Sequence, residues 1–277
     1  METKINKKLP KGQRRQRISD WQEKLPVKLI LVIAIILLVL ALLIMLNESS
    51  SSLLNSPELD VLRSSRTLRV GIDTNRVGLN VDGTGYEDDL VKLLGQTIFN
   101  ADDCVSFVEL DRHTVLMAFE DDTIDLALMS IDAIEQKGYS TCKRPFYSEP
   151  CVLLTRDSNA SFIEMQVAVL NGTPAHTLLK KFEEDIESEI IIVPSAAYYD
   201  MLVLFRAGRV DALCMPLSVA ETFREPSWTY HATRVGTLNY YAVSTSDNKV
   251  LIDLIDELLL DWSADGVLTE LYSKNGL

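Results

Sequence analysis

The segment Asn171–His176, with the sequence NGTPAH, has the residue types that bind an anion at the start of a helix. Gly172 permits a tight turn, Thr173 is a favoured N-cap residue, and Pro174 suits the first helical position. Backbone N–H groups at such a helix N-terminus attract negatively charged groups. We therefore expect Gly172 and Thr173 to contact a ligand. The alternative is that Thr173 only caps its helix.

Two charged residues follow the first predicted strand of the body. Asp73 ends the segment LRVGID, and Arg76 lies three residues further along. Asp73 would either contact a polar ligand or stabilise its own turn, because Asp side chains commonly hydrogen-bond to nearby backbone. Arg76 would either bring a positive charge to a ligand or be a solvated loop residue. The sequence leaves both alternatives open for each residue.

The sequence carries no signature of catalysis or of metal binding. It has no G-x-S-x-G segment and no P-loop, and its three histidines are far apart without metal-ligand spacing. No acid and base can be assigned as a catalytic pair. We therefore predict that the protein is not an enzyme and has neither a cofactor nor a metal.

Charge and hydropathy divide the chain into a basic tail, an apolar run and an acidic body. Residues 1–28 have nine Lys or Arg and three Asp or Glu, whereas the rest has 18 and 37. The 18 apolar residues Leu29 to Leu46 extend about 27 Å as a helix, close to the thickness of one bilayer core. Because the run is longer than a typical signal-peptide core and lacks an A-x-A site, we expect a retained anchor.

This arrangement predicts a single-pass protein of the inner (plasma) membrane. The positive-inside rule keeps the N-terminus in the cytoplasm and places the body in the periplasm or extracellular space. An acidic body without basic stripes excludes nucleic acid as a partner.

The four cysteines of an exported body could form disulfides, with three possible full pairings. Cys104 and Cys142 are the preferred pair because both lie in polar segments. Cys151 and Cys214 lie in apolar, strand-like runs, where buried thiols are expected.

The body alternates short strands with helices of about ten residues, which predicts an α/β parallel sheet. One unit occurs twice, as FEDDTIDLALMS at 119–130 and FRAGRVDALCMP at 205–216. The repeat predicts two similar lobes, and its recurring Asp125 and Asp211 are expected to have a structural role. CVLLTRDSN and LNYYAVSTSDN read as strands that cross between the lobes. The predicted boundaries are a cytoplasmic tail 1–28, an anchor 29–46, a Ser-rich linker 47–66, lobe 1 at 67–153 plus 240–277, and lobe 2 at 154–239.

Several segments in this order resemble the type II periplasmic solute-binding proteins, specifically the polar amino-acid-binding (extracellular solute-binding family 3) type of ABC importers. They are LRVGID, GYEDDLVKLLG, IDLALMS, PFYSEPCVLLTRDS, VAVLNGTPAHTLL, GRVDALCMP and LLLDWSADGVLTELYSKNG. The resemblance implies a two-lobed fold with two crossover strands that closes on a small solute.

The resemblance also marks ligand positions, and several of them depart from the family pattern. The family's carboxylate-binding Arg falls on Gln136 and its Thr on Ala133. The family's amine-binding Asp falls on Pro216, and an aromatic that covers the ligand falls on Arg76. The full set of candidate ligand residues is Asp73, Arg76, Ser130, Gln136, Gly172, Thr173 and Pro216.

The function implied is a membrane-tethered domain that captures a small polar, anionic solute for ABC-type uptake or sensing. Its partners would be that solute and an inner-membrane permease or sensor protein. The alternative is a scaffold or protein-interaction module that kept the fold and lost the site. Gln136, Ala133 and Pro216 favour that alternative, and the ligand and oligomeric state stay open.

Overall fold

The computed structural model describes part of the chain, in two units that divide between Ser51 and Ser52. The described residues are 31–39, 53–73, 79, 84–101, 103–110, 114–130, 138–186 and 189–277. Arg76, Gln136 and Ala133 lie outside them, as does half of the predicted anchor.

The described part of the first unit is a helix, α1, at residues 31–39. Its large apolar side chains are exposed, and Leu38 is 70% exposed. Among the described residues, no helix is both long enough and apolar enough to cross a membrane. The anchor at 29–46 therefore stays a prediction.

The second unit is an α/β body. Its strands are β1 Leu68–Asp73, β2 Val105–Leu110, β3 Leu126–Ser130, β4 Tyr139–Thr141, β5 Tyr147–Thr155, β6 Gln166–Leu170, β7 Ile191–Ser195, β8 Ala212–Pro216, β9 Thr229–Tyr230 and β10 Gly236–Thr245. Its helices are α2 Pro57–Ser65, α3 Tyr86–Phe99, α4 Val115–Glu120, α5 Pro174–Ile186, α6 Tyr198–Arg206, α7 Leu217–Phe223, α8 Lys249–Ala264 and α9 Val267–Lys274, with a 3-10 turn at Ser246–Asn248.

The strands form one continuous sheet in the order β2-β1-β3-β10-β5-β8-β6-β7, with β4 beside β10 and β9 beside β5. Strands β1, β2 and β3 are mutually parallel, and so are β6, β7 and β8. Strands β5 and β10 run antiparallel to each other between these two sets. The predicted α/β fold with two lobes and two crossing strands is confirmed.

The two lobes share a core on one face of the sheet. A single cluster of buried apolar side chains there includes Leu94 of α3, Leu179 of α5 and Leu254 of α8. The other face has separate clusters, one around Phe119 of α4 and one around Phe205 of α6. The closing helices α8 and α9 pack on lobe 1, as the sequence predicts.

Helix α2 lies within the segment that was expected to be a linker. It begins where Ser56 Oγ accepts a hydrogen bond from the Leu59 N–H at 3.4 Å, and Pro57 occupies its first turn. Leu59 is 2% exposed, and Arg63 Nε donates to the Ile98 carbonyl at 2.8 Å. A short amphipathic helix thus joins the core of lobe 1 inside a Ser-rich stretch.

Asp125 and Asp211 have the same structural role in the two lobes. The Asp125 carboxylate accepts the Arg69 N–H at 2.8 Å, and the Asp211 carboxylate accepts the Gln166 N–H at 2.9 Å. Each Asp also donates its own N–H to the carbonyl of the same partner, at 2.8 Å in both lobes. The repeated Asp therefore ties the start of one strand to the first strand of its lobe.

All four cysteines lie in the described residues, and none of them forms a disulfide. The expected Cys104–Cys142 bond is therefore wrong. Cys104 precedes β2 and Cys142 follows β4, so they lie four strand spacings apart in the sheet, about 19 Å. Cys151 and Cys214 are buried thiols, as expected.

Candidate functional site

The carboxyl ends of the strands in both lobes converge on the crossing strands. Ser130, the last residue of β3, lies opposite Tyr240 of β10, and Tyr240 lies opposite Tyr147 of β5. Pro216, the last residue of β8, lies opposite Cys151 of β5. Measured along β5, β3 ends at the level of Tyr147 and β8 ends at the level of Cys151. The two strands run in opposite directions, so their carboxyl ends face each other across this interval.

The distance between these two strand edges follows from the strand geometry. Tyr147 and Cys151 are four residues apart on β5, which corresponds to about 13 Å along the strand. That spacing suits a small solute held between the lobes. Ligands of α/β proteins characteristically lie beyond the carboxyl ends of the strands.

The predicted site residues that the structure describes fall at these two edges. On the lobe 1 side, Asp73 ends β1 and Ser130 ends β3, and these strands are hydrogen-bonded neighbours. On the lobe 2 side, Gly172 and Thr173 follow β6, and Pro216 ends the neighbouring strand β8. The structure thus brings the five residues to the facing strand edges. Their contact with a ligand stays a prediction.

The Gly172–Thr173 turn is held by its own hydrogen bonds. The Thr173 hydroxyl donates to the Leu170 carbonyl at 2.7 Å and accepts the His176 N–H at 3.4 Å, so Thr173 caps α5. The Gly172 N–H donates a hydrogen bond to His176 Nδ1 at 3.3 Å. The φ of Gly172 is 68°, a left-handed conformation that favours glycine. These two groups therefore fix the turn.

Two backbone donors of the turn are not used in these hydrogen bonds. The backbone N–H groups of Thr173 and Ala175 have no acceptor among the described residues. Thr173 immediately precedes a 13-residue helix and Ala175 lies in its first turn, where the positive end of the helix dipole lies. The charge at this end of the helix favours an anionic group, and binding of one stays a prediction.

Two polar groups at the strand edges were not singled out from the sequence. Glu149 lies midway between Tyr147 and Cys151 and is 2% exposed. Ser195 ends β7 opposite Leu170, and its buried hydroxyl has no partner among the described residues. The signal for Glu149 was present, since a single carboxylate interrupts the otherwise uncharged run PFYSEPCVLL.

Glu149 joins the crossing strands to helix α7. Its Oε2 accepts the Ser218 N–H at 2.7 Å, and its Oε1 accepts the Ser218 hydroxyl at 3.1 Å. Oε1 also accepts the Tyr240 hydroxyl at 2.7 Å. Pro216 is the N-cap of α7 and has no side-chain acceptor, so Glu149 supplies the capping carboxylate from another strand.

His176 makes the stability of the turn depend on pH. Burial, and then the charge of Lys180, lower the pKa of His176 below its ordinary value of 6.5. Between about pH 6.5 and that lower value, the unfolded chain binds a proton that the folded chain does not. His176 therefore contributes stability above about pH 6.5, and we expect this contribution to fall with pH through that window.

The measurement is urea unfolding at pH values between 8 and 5, on the native protein and on the His176→Gln variant. We expect the free energy of unfolding to decrease more steeply with falling pH in the native protein than in the variant. Equal slopes for the two proteins would show that His176 is not the group concerned.

The comparison with solved structures defines the class of fold. This body has the two-lobed α/β fold of periplasmic binding proteins. Three solved structures with a similar fold illustrate this. Tv2483 bound to L-arginine has a TM-score of 0.65 and 16% identity, covering 79% of this chain and 94% of that one. A mutant of ArgBP from T. maritima has a TM-score of 0.62 and 18% identity, covering 79% and 98%. A putative L-cystine ABC transporter from Listeria monocytogenes has a TM-score of 0.59 and 20% identity, covering 76% and 95%.

These identities are low, so the likeness shows the fold alone. No protein-family model matches the sequence, and no curated protein matches it.

Proposed function

We propose that this protein is a membrane-tethered solute-binding protein whose body captures a small polar, anionic solute outside the cytoplasm. The observation that carries the proposal is the convergence of both sets of strand ends on β5 and β10, with about 13 Å between them. The apolar run Leu29 to Leu46 is the tether, and an ABC-type permease or a sensor protein in the same membrane receives the loaded form.

The preference for an anion rests on the start of α5. The Thr173 and Ala175 N–H groups have no acceptor among the described residues, and the preformed turn around Gly172 costs little ordering on binding. The similar structures described above as bound to L-arginine or as a putative cystine transporter support a solute with an α-carboxylate. Pro216 cannot bind an amino group in the way a carboxylate does, so the amine of an amino acid would need another acceptor.

The test is the thermal unfolding of the full chain, purified in a mild non-ionic detergent, with a panel of solutes. The panel contains amino acids, organic acids, short peptides and sugars. A solute that binds only the folded state stabilises it by about 2.7 kcal/mol at a hundred times its Kd. We expect at least one carboxylate-bearing solute to raise the midpoint by several degrees. No rise with any class would overturn the proposal and favour the scaffold alternative.

A pair of substitutions at Thr173 then tests the site. Thr173→Val removes the hydroxyl that fixes the turn but keeps the shape of the side chain, whereas Thr173→Ser retains the hydroxyl. We expect Thr173→Val to weaken binding of the identified solute by roughly tenfold, the equivalent of about one lost hydrogen bond. Thr173→Ser should bind within about threefold of the native protein, on the same hydrogen-bond reasoning. Equal affinities for both variants would place the solute elsewhere.

A further inference from the structure

Two buried thiols touch at the point where β5 passes from one lobe to the other. Cys151 of β5 and Cys214 of β8 have their Sγ atoms 3.5 Å apart, and both side chains are completely buried. They lie diagonally across the antiparallel pair, because Cys151 is opposite Pro216 and Cys214 is opposite Leu153. Side chains at such positions face the same side of the sheet.

The pair also contacts the candidate ligand turn. Cys214 Sγ lies 3.8 Å from the Ala175 carbonyl in the first turn of α5. Cys151 lies opposite Gly236, where β10 begins. The two thiols therefore connect a crossing strand, a strand of lobe 2 and the start of the helix that follows Thr173.

The other two thiols have different surroundings. Cys104 Sγ lies 3.1 Å from the Ala101 carbonyl, and Cys142 Sγ lies 3.0 Å from the Arg144 carbonyl. These two contacts are to carbonyls two or three residues away in the chain. The strand order places Cys104 and Cys142 far from each other in the sheet. Among the four cysteines, only Cys151 and Cys214 have their sulfur atoms in contact.

We propose that Cys151 and Cys214 are a redox site that closes to an intramolecular disulfide when the protein meets a disulfide-bearing oxidant. One thiol, as the thiolate, attacks a sulfur of the oxidant, whose S–S bond breaks and releases one thiol. The second cysteine then attacks the mixed disulfide, forms the Cys151–Cys214 bond and releases the second thiol. Two electrons pass to the oxidant, and the two cysteine protons end on its released thiols.

The surroundings make this reaction slow. The contact with Cys214, together with burial, raises the pKa of the Cys151 thiol, so little thiolate is present at neutral pH. Exchange with an oxidant therefore requires local opening of the β5–β8 pair or takes place during folding. The proposal does not depend on solute binding, because the pair and its chemistry lie entirely within the chain.

The experiment uses the full chain in detergent and oxidised glutathione as the oxidant. The reduced protein is equilibrated at defined ratios of reduced to oxidised glutathione, in one arm as the folded protein and in another during refolding from urea. Remaining thiols are then alkylated in denaturant after acid quenching, and the chain is digested with trypsin. The four cysteines fall in four different tryptic peptides, 93–112, 138–143, 144–156 and 210–224, so each can be followed separately.

We expect peptides 144–156 and 210–224 to lose alkylation together and to appear as one cross-linked species. Peptides 93–112 and 138–143 should stay alkylated. The bond closes a loop between residues 63 positions apart, so the oxidised protein should unfold at a higher urea concentration than the reduced one. Cys151→Ser and Cys214→Ser should each abolish the cross-link, whereas Cys104→Ser should leave it unchanged.

Three results would overturn the proposal. They are full alkylation of Cys151 and Cys214 in both arms, a cross-link between any other pair, and an oxidised protein that unfolds at the same or a lower urea concentration.

Discussion

Replacing Glu149 by alanine is expected to lower the free energy of unfolding by about 4 kcal/mol, because a hydrogen bond to a charged group contributes about 1.5–3 kcal/mol. Three donors converge on this carboxylate, and Tyr240, which supplies one of them, is 2% exposed. The substitution leaves a buried hydroxyl and a helix N-terminus without their acceptor. It therefore loses the bonds and also incurs the cost of unsatisfied polar groups.

The Glu149→Gln variant separates charge from shape. The amide keeps one carbonyl oxygen, which can accept a hydrogen bond from Tyr240 or Ser218. Its NH2 group takes the place of the second carboxylate oxygen and therefore puts a donor next to a donor. We expect a loss of about 2 kcal/mol, roughly half that of Glu149→Ala.

Both variants are measured by urea unfolding, with Glu109→Ala as the matched control. Glu109 also lies on a strand of the same sheet, but its side chain is exposed. The control should change stability by less than about 0.5 kcal/mol. A Glu149→Ala variant that differs from the control by under 1 kcal/mol, about the contribution of a single hydrogen bond, would show that Glu149 does not hold α7 to the crossing strands.

Asp125→Ala should destabilise the body by about 3 kcal/mol and Asp211→Ala by about 1 kcal/mol, although the two residues have the same place in the two lobes. Both carboxylates accept a backbone N–H of a neighbouring strand. Asp125 in addition accepts Arg69 Nε at 3.1 Å and Arg69 Nη2 at 2.6 Å. The hydrogen bonds with Asp125, and to a smaller extent those with Asp122, raise the pKa of Arg69, so its guanidinium group stays charged.

Asp125 and Asp211 also differ in how far they are buried. Asp125 is 9% exposed, whereas Asp211 is exposed, so the loss of Asp125 leaves its partners without water as a substitute. Asp122→Asn is the control, because Asp122 also pairs with Arg69 but its side chain is 89% exposed, and asparagine tolerates the left-handed backbone of this position, where φ is 50°. An exposed ion pair of this kind contributes about 0–1 kcal/mol. Equal losses for Asp125→Ala and Asp211→Ala would contradict the assigned role of Arg69.

The sequence allowed most of the fold to be predicted because its signals are local. Alternating strands and helices gave the α/β class, and the repeat around Asp125 and Asp211 gave two lobes. Thr173 and Pro174 predicted where α5 begins. Each of these signals depends on the backbone preference or periodicity of neighbouring residues, which does not need knowledge of the tertiary structure.

The predictions that failed or were missed depend on long-range contacts. The Cys104–Cys142 bond was inferred from the polarity of each segment, but strand order places the two residues at distant positions in the sheet. Helix α2 was missed because its Ser-rich composition resembles a linker, whereas Leu59 is buried against α3 and α8. The partners of Glu149 lie 69 and 91 residues away in the chain.

By itself, the sequence determined most of the strands and helices and the two-lobed order of this protein, because local hydrogen bonding and hydrophobic periodicity specify them. Only the tertiary structure decided which polar groups are used within the protein and which remain for a ligand. The Thr173 hydroxyl and the Gly172 N–H are engaged internally, whereas the N–H of Ala175 has no acceptor among the described residues. That division depends on the registers of β3, β5, β8 and β10, which bring together residues far apart in the chain.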